Sequence, residues 1–288
     1  RACAQLRDVL SGCKLHAQVS SRGLLESDAV IGTSLVDMYA KYGMLKKAQD
    51  IFDHIWTRDV VTWTAIISGY ADHDCNVKAI MCYQHMKLEG LCPNDFTFSC
   101  ILKACDTLNS CRINEIPSKL IMETGIEIHC ELARIGSLNR SLVVTTSLVD
   151  MYTKWGVLWK AREVFDRIPL RNVVSWTSLM SGYVEQDRGE EALVLYEQMQ
   201  ATDVSPSATT YACLLRACAS IGDLNKGKSI HSEIVEKKWL EENVFLGSDL
   251  VNMYMQCGSL CEAEEVFHIL QTHEVWYQNF KKIGLISR

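Results

Sequence analysis

The sequence predicts an all-α fold, a solenoid of stacked antiparallel helix pairs, on three observations. The stretch from Val60 to Asn94, VVTWTAIISGYADHDCNVKAIMCYQHMKLEGLCPN, returns from Val173 to Ser207 as VVSWTSLMSGYVEQDRGEEALVLYEQMQATDVSPS. A unit of this size recurring along a chain is the mark of a one-dimensional repeat array. Within each copy the apolar residues follow helical spacing: Trp63, Ile67, Tyr70 and then Ala79, Tyr83, Met86, matched by Trp176, Met180, Tyr183 and Ala192, Tyr196, Met199. The run Leu35-Val36-Asp37-Met38-Tyr39 comes back as Leu148-Val149-Asp150-Met151-Tyr152 and as Leu250-Val251-Asn252-Met253-Tyr254. Each unit therefore holds two amphipathic helices, and neither can bury its stripe without a neighbour.

The units form a compound cycle. Residues 142–172, 173–207 and 208–243 have lengths 31, 35 and 36, a period of 102, whereas the preceding cycle is 113 residues long because 11 extra residues lie between Cys105 and Gly125. Ala104-Cys105 matches Ala217-Cys218, and Gly125-x-x-x-His129 matches Gly227-x-x-x-His231. The insertion, with Pro117 inside it, reads as a loop projecting from the side of the solenoid, the alternative being a lengthened start of the second helix. The chain starts within a unit (1–28), continues through complete units 29–59, 60–94, 95–141, 142–172, 173–207, 208–243 and 244–274, and finishes in a diverged or truncated repeat or tail, 275–288.

Punctuation agrees with this division. Gly43, Gly156 and Gly258 stand between the helices of the 31-residue units, where a glycine takes the left-handed conformation that ends a helix. Pro93, Pro169 and Pro206 follow second helices, where no helical hydrogen bond is lost. Gly69 and Gly182 sit within first helices and are expected to allow close approach of a neighbour.

Composition excludes several classes. Apolar residues at 48% and charged residues at 22% fit a folded protein and not a disordered one. The longest uncharged apolar run, Val60 to Ala71, is too short to span a bilayer, so no membrane partner is expected. The opening Arg1-Ala2-Cys3 has no initiator Met and no leader-like segment, which points to a fragment or processed product. The 13 cysteines fall among apolar neighbours at helical positions and read as free, mostly buried thiols. A net charge of −6 is an objection to nucleic-acid binding, since affinity for phosphates needs Lys and Arg.

The runs VVTWTAIISGYA, SLVDMYAKYGMLKKAQDIFD, SLVDMYTKWGVLWKAREVFD and TYACLLRACASIGDLNKGKSIH resemble the plant pentatricopeptide-repeat family, in particular its subclass alternating ordinary, long and short repeats. The resemblance covers residues 1–274, and the 34-residue period and pattern of tetratricopeptide repeats are absent. It implies a right-handed superhelix whose first helices line a groove for single-stranded RNA, about one base per repeat. It further implies that the fifth and last residues of a repeat meet the Watson–Crick edge while the second packs on the base faces.

Carried onto this sequence, Thr33 with Asp59 resembles a guanine reader, Thr64 with Asn94 and Thr146 with Asn172 resemble adenine readers, and Thr177 with Ser207 keeps the hydroxyl associated with purines. Ser99 with Ser141, Ala212 with Asn243 and Ser248 with Glu274 depart from the pattern. Val30, Val61, Val143 and Val174, with Phe245, are the base-packing candidates; the competing reading is ordinary packing at a helix start. For the threonines the competing reading is helix capping, and their recurrence at one repeat position favours RNA. Lys41 and Lys154 are candidate backbone contacts.

Other constellations read as structural. His16, His129 and His231 recur at one repeat position too far apart to share a metal. His231-Ser232-Glu233 followed by Cys257-x-x-x-Cys261 imitates the deaminase signature found in some relatives, but its spacing is one residue too long and its proline is missing. No catalytic residue, cofactor or metal is assigned. The expected function is sequence-selective RNA binding by a monomer in a plastid or mitochondrion, directing a separate RNA-processing partner protein that edits, cleaves or stabilises the transcript. A protein-interaction solenoid, or a degenerate fragment without RNA binding, is the alternative.

Overall fold

The computed structural model describes residues 8–23, 29–110 and 118–272, and all regular structure among them is helical. The chain divides into two compact units, Arg1–Trp155 and Gly156–Arg288. The first contains α1 (Val9–Ser21), α2 (Ala29–Lys41), α3 (Leu45–His54), α4 (Val60–Asp72), α5 (Asn76–Leu88), α6 (Asp95–Ser110), α7 (Ser118–Ile135) and α8 (Leu142–Lys154). The second contains α9 (Leu158–Asp166), α10 (Val173–Glu185), α11 (Gly189–Gln200), α12 (Ala208–Ile221), α13 (Leu224–Glu236), α14 (Val244–Gln256) and α15 (Leu260–Thr272), with a single turn, Trp239–Glu242, before α14. The diverged segment 275–288 lies outside the described residues.

Within the first unit, first helices α2, α4, α6 and α8 stack in order; within the second, α10, α12 and α14 do the same. This explains why the first helices are apolar on almost every side. In α4 Trp63, Ile66, Ile67, Gly69, Tyr70 and Ala71 are all buried. The approach is close enough that a Cβ on Gly69 would lie 2.6 Å from the Ala40 Cβ of α2. Helix ends follow the expected chemistry, with Gly43, Gly156 and Gly258 at φ 73°, 74° and 77°. At the same place in the 35-residue units stand Asp74 and Asp187, also left-handed at φ 57° and 55°; aspartate tolerates that region because its short side chain bonds locally.

The insertion before Gly125 is partly helical. Helix α7 begins seven residues before Gly125 while α13 begins three before Gly227, and α6 runs five residues past Cys105 while α12 runs three past Cys218. Six of the 11 extra residues thus lengthen the flanking helices. Pro117 and the rest of the projected loop lie outside the described residues. The described thiols are free but less hidden than expected: Cys100, Cys105, Cys213 and Cys218 are buried, whereas Cys130 and Cys261 on outer helix faces and Cys92 in the connection after α5 are exposed.

The recurring histidines pair with tyrosines of the following first helix. His16 Nδ1 lies 2.9 Å from the Tyr39 hydroxyl, His129 Nδ1 2.8 Å from that of Tyr152 and His231 Nδ1 2.9 Å from that of Tyr254. Burial holds the His231 imidazole below its ordinary pKa. The unfolded chain therefore takes up a proton at a pH where the folded chain does not, so this contribution is intact above about pH 6.5 and declines as the pH falls through the ordinary histidine value. Thermal melts at pH 7.5 and 5.5 are expected to show a smaller acid-induced drop for His231→Gln than for the wild type; equal drops would remove this residue from the acid sensitivity.

Candidate functional site

One edge of each first helix stays in contact with solvent. On α4 it runs through Val61, Ala65, Ser68 and Asp72, and on α8 through Val143, Ser147, Asp150 and Lys154, all at helical spacing. The second residue of each repeat heads this edge and is exposed: Val30 at 73%, Val61 at 59%, Val143 at 65% and Val174 at 53%, with Phe96 and Phe245 at the equivalent places. These apolar side chains are more than half exposed, whereas the competing reading of the sequence expected them to be packed at the helix starts.

The last residue of a repeat is the N-cap of the next first helix. Asp59 accepts the Thr62 backbone N–H at 2.8 Å, Asn94 accepts that of Thr97 at 2.8 Å and Asn172 accepts that of Ser175 at 2.9 Å. Ser207 caps α12 more weakly, accepting from the Thr210 N–H at 3.3 Å. The starts of α4 and α10 are thus capped by Asp59 and Asn172 and not by Thr64 and Thr177, which corrects the capping reading of those two threonines. Thr64, Thr146 and Thr177 instead turn their hydroxyls back to the carbonyls of Val60, Leu142 and Val173 at 2.5, 2.8 and 2.8 Å.

A buried threonine bridges the members of three candidate pairs. Thr62 Oγ1 is 2.7 Å from Thr33 Oγ1 and donates to Asp59 Oδ1 at 2.8 Å. Thr97 Oγ1 is 2.7 Å from Thr64 Oγ1 and donates to Asn94 Oδ1 at 2.9 Å. Thr210 Oγ1 is 2.8 Å from Thr177 Oγ1 and 3.0 Å from Ser207 Oγ. Thr146 is buried in the first unit, and Asn172 makes a reciprocal capping box with Ser175 in the second. Ser99 departs again: its hydroxyl meets Ser147 of α8 at 2.9 Å, and Ser141 makes no side-chain cap bond. The Thr62 N–H, reinforced by the Thr62 hydroxyl, holds the Asp59 carboxyl below its ordinary pKa.

The bridging threonines were missed from the sequence, although a signal exists. Asp59-x-x-Thr62, Asn94-x-x-Thr97, Asn172-x-x-Ser175 and Ser207-x-x-Thr210 each place a hydroxyl three residues after a cap-forming side chain.

Two shallow clefts open along the exposed edge of the first unit. One, of about 370 Å³, is lined by Asp37, Lys41, Ser68, Asp72 and His73. The other, of about 580 Å³, lies among Phe96, Ser99, Lys103, Val143, Ser147 and Lys154. Cation and carboxylate alternate here, Lys41 meeting Asp37 at 2.7 Å and Lys103 meeting Asp72 at 3.0 Å. The deaminase-like residues are engaged elsewhere: Glu233 accepts from the Tyr196 and Tyr211 hydroxyls at 2.6 and 3.1 Å, and Cys257 Sγ faces the Cys218 carbonyl at 3.7 Å. Among the described residues no three metal-binding side chains come together, and no helix is long and apolar enough to cross a membrane.

The fold and the repeat sequence both have known counterparts. The chain superposes on the pentatricopeptide repeat protein PPR10 from maize with a TM-score of 0.54 at 21% identity, covering 93% of this chain and 42% of that one. It superposes on PPR10 in complex with an 18-nt psaJ RNA element with a TM-score of 0.53 at 20% identity, covering 91% and 43%. A chloroplastic pentatricopeptide repeat-containing protein of Arabidopsis thaliana is 34% identical over 93% of this chain and 41% of its own length. A mitochondrial one from the same plant is 32% identical over 96% and 41%. The chain thus spans about two fifths of the length of these curated relatives. The PPR repeat family model matches residues 58–106 and 171–220, and the PPR repeat model matches 33–60, 143–173 and 209–239. These matches span more than half of the sequence, and with helix pairs that stack in order within each unit, the chain belongs to the pentatricopeptide repeat family.

Proposed function

We propose that the chain is a sequence-selective binding module for single-stranded RNA in organelle RNA processing, acting by specificity and not by chemistry of its own. The observation that carries this reading is the recurrence of one arrangement at the exposed edge. An uncovered apolar residue heads the first helix, and behind it a fifth-position hydroxyl is tied to a last-position cap residue. Exposed Val and Phe side chains suit contact with base faces, and paired polar atoms suit one base edge per repeat. PPR10, similar in fold, was solved with an RNA element, and relatives are named chloroplastic or mitochondrial. We assign the chain to the subclass alternating ordinary, long and short repeats, with units opening at residues 29, 60, 95, 142, 173, 208 and 244. A monomer that delivers a separate RNA-processing protein fits a chain of this kind.

In this reading Thr33 with Asp59 takes guanine, Thr64 with Asn94 and Thr146 with Asn172 take adenine, and Thr177 with Ser207 takes a purine. The cleft between Phe96 and Val143 would receive a base stacked between second-position residues. Short RNAs carrying G, A, any base, A and a purine in succession, in both strand polarities, are expected to bind at least about tenfold more tightly than scrambled controls. With Lys41, Lys103 and Lys154 as the lysines along this edge, the slope of log affinity against log salt is expected near −2, at about −0.7 per phosphate neutralised. Equal affinity for matched and scrambled RNA, or no binding at low salt, would favour a protein-interaction solenoid.

A further inference from the structure

We propose that Thr62 and Thr97, each the third residue of a repeat, are positioning residues for base recognition by the repeat before. Each governs which way the preceding fifth-position hydroxyl points its proton, and hence what that hydroxyl offers to a base. This rests on the RNA reading above and deepens it, since the third residue touches no base.

A threonine hydroxyl has one proton and two lone pairs, and an ionised carboxylate only accepts. At the first site the Thr62 proton goes to Asp59 Oδ1 at 2.8 Å. The 2.7 Å contact between Thr62 and Thr33 is then a hydrogen bond only if Thr33 donates. Thr33 is left with lone pairs facing outward, beside the second oxygen of Asp59. The edge so formed consists of acceptors, complementary to the adjacent N1–H and N2–H donors of guanine. Adenine would place its N1 lone pair against another acceptor.

At the second site Asn94 Oδ1 accepts both the backbone N–H and the hydroxyl of Thr97. That fixes the amide orientation and turns the Nδ2 donors away from the bridge. With the Thr97 proton on Asn94, the 2.7 Å contact between Thr64 and Thr97 is a hydrogen bond only if Thr64 donates, so Thr64 commits its single proton inward. One acceptor and one donor remain, the complement of adenine N6–H and N1. At the third site the Ser207 hydroxyl can either give or take a proton, and Thr210 Oγ1 already receives the Ser207 N–H at 3.1 Å. No polarity is imposed there, so this pair discriminates least.

All three bridging threonines have 0% exposure, so water cannot take the place of their hydroxyls. A purely structural capping role is separable from the proposed one. The Thr62 backbone N–H is capped by Asp59 whatever the side chain, so the helix start survives Thr62→Val.

The test measures wild type, Thr62→Val and Thr62→Ser against RNAs differing at one base at a time. Wild type prefers G over A opposite the unit 29–59. Thr62→Val is expected to lower that ratio about tenfold, one hydrogen bond's worth of discrimination, while the preference opposite unit 60–94 is unchanged and Thr62→Ser restores the ratio. If Thr62→Val does not fold, as judged by circular dichroism, Thr97→Val read at the adenine position gives the same test. A folded valine variant that keeps the wild-type ratio, or loses affinity for all RNAs alike, overturns the positioning role alone. A wild type without preference at either base overturns the RNA reading and this assignment with it.

Discussion

Trp176→Ala is expected to destabilise the second unit by about 3–5 kcal/mol, the range for emptying a large aromatic site in a core that only partly collapses. Trp176 is 2% exposed and meets Phe165 of α9 edge-on at 4.8 Å, with the Arg171 guanidinium over both rings at 4.7 and 5.7 Å. Because a stacked array is held by interfaces between neighbours, loss of this ring loosens α9 from α10. Equilibrium denaturation and hydrogen exchange over these helices would measure it, and a loss below about 1 kcal/mol would contradict the burial. The same site in the first unit gives an internal comparison. Trp63 meets Phe52 edge-on at 4.7 Å and also donates its indole N–H to Glu89 at 2.9 Å, whereas the buried Trp176 indole N–H has no partner among the described residues. Trp63→Phe should therefore cost about 1 kcal/mol more than Trp176→Phe, the net worth of one hydrogen bond.

Asn94→Asp is expected to move preference at one base from adenine to guanine, by roughly tenfold or more in the ratio of affinities. The substitution preserves the fold because an aspartate caps α4 from the equivalent position, Asp59, with the same bond to a third-position threonine. It changes the outward group from an amide donor to a carboxylate acceptor, which faces N1 of adenine unfavourably and N1–H of guanine favourably. The added negative charge also lowers affinity for every RNA, so the informative quantity is the ratio and not either constant. Parallel titrations with RNAs differing only at that base would measure it; an unchanged ratio would show that Asn94 does not face the base.

Much of the architecture is legible in the chain because its causes are local. Helical spacing of Trp63, Ile67 and Tyr70, glycines at left-handed ends and prolines after second helices all act within a few residues, and the repeat carries each signal through the array. The insertion was less legible. Its length is plain, but whether extra residues extend a helix or leave it depends on support from adjacent helices, and six of them joined α6 and α7. The exposure of some thiols was hard to read for a related reason: periodicity says which face of a helix turns inward, but Cys130 and Cys261 lie on faces that no neighbour covers, and Cys92 lies between helices.

The candidate site divides in the same way. The sequence by itself determined the repeat, its helix pairs and the residue types at the second, fifth and last positions, since each is a matter of pattern along one dimension. Only the tertiary structure decided which hydroxyl meets which. Thr33 and Thr62 are 29 residues apart, Thr64 and Thr97 33 apart, and they touch because α2, α4 and α6 stack. A hydrogen bond has a direction set by the partner that can only accept, and that partner is fixed by which helix starts beside it. In the proposed reading, the polarity offered to a base is therefore a property of the stacked pair of repeats, beyond what either repeat's sequence specifies alone.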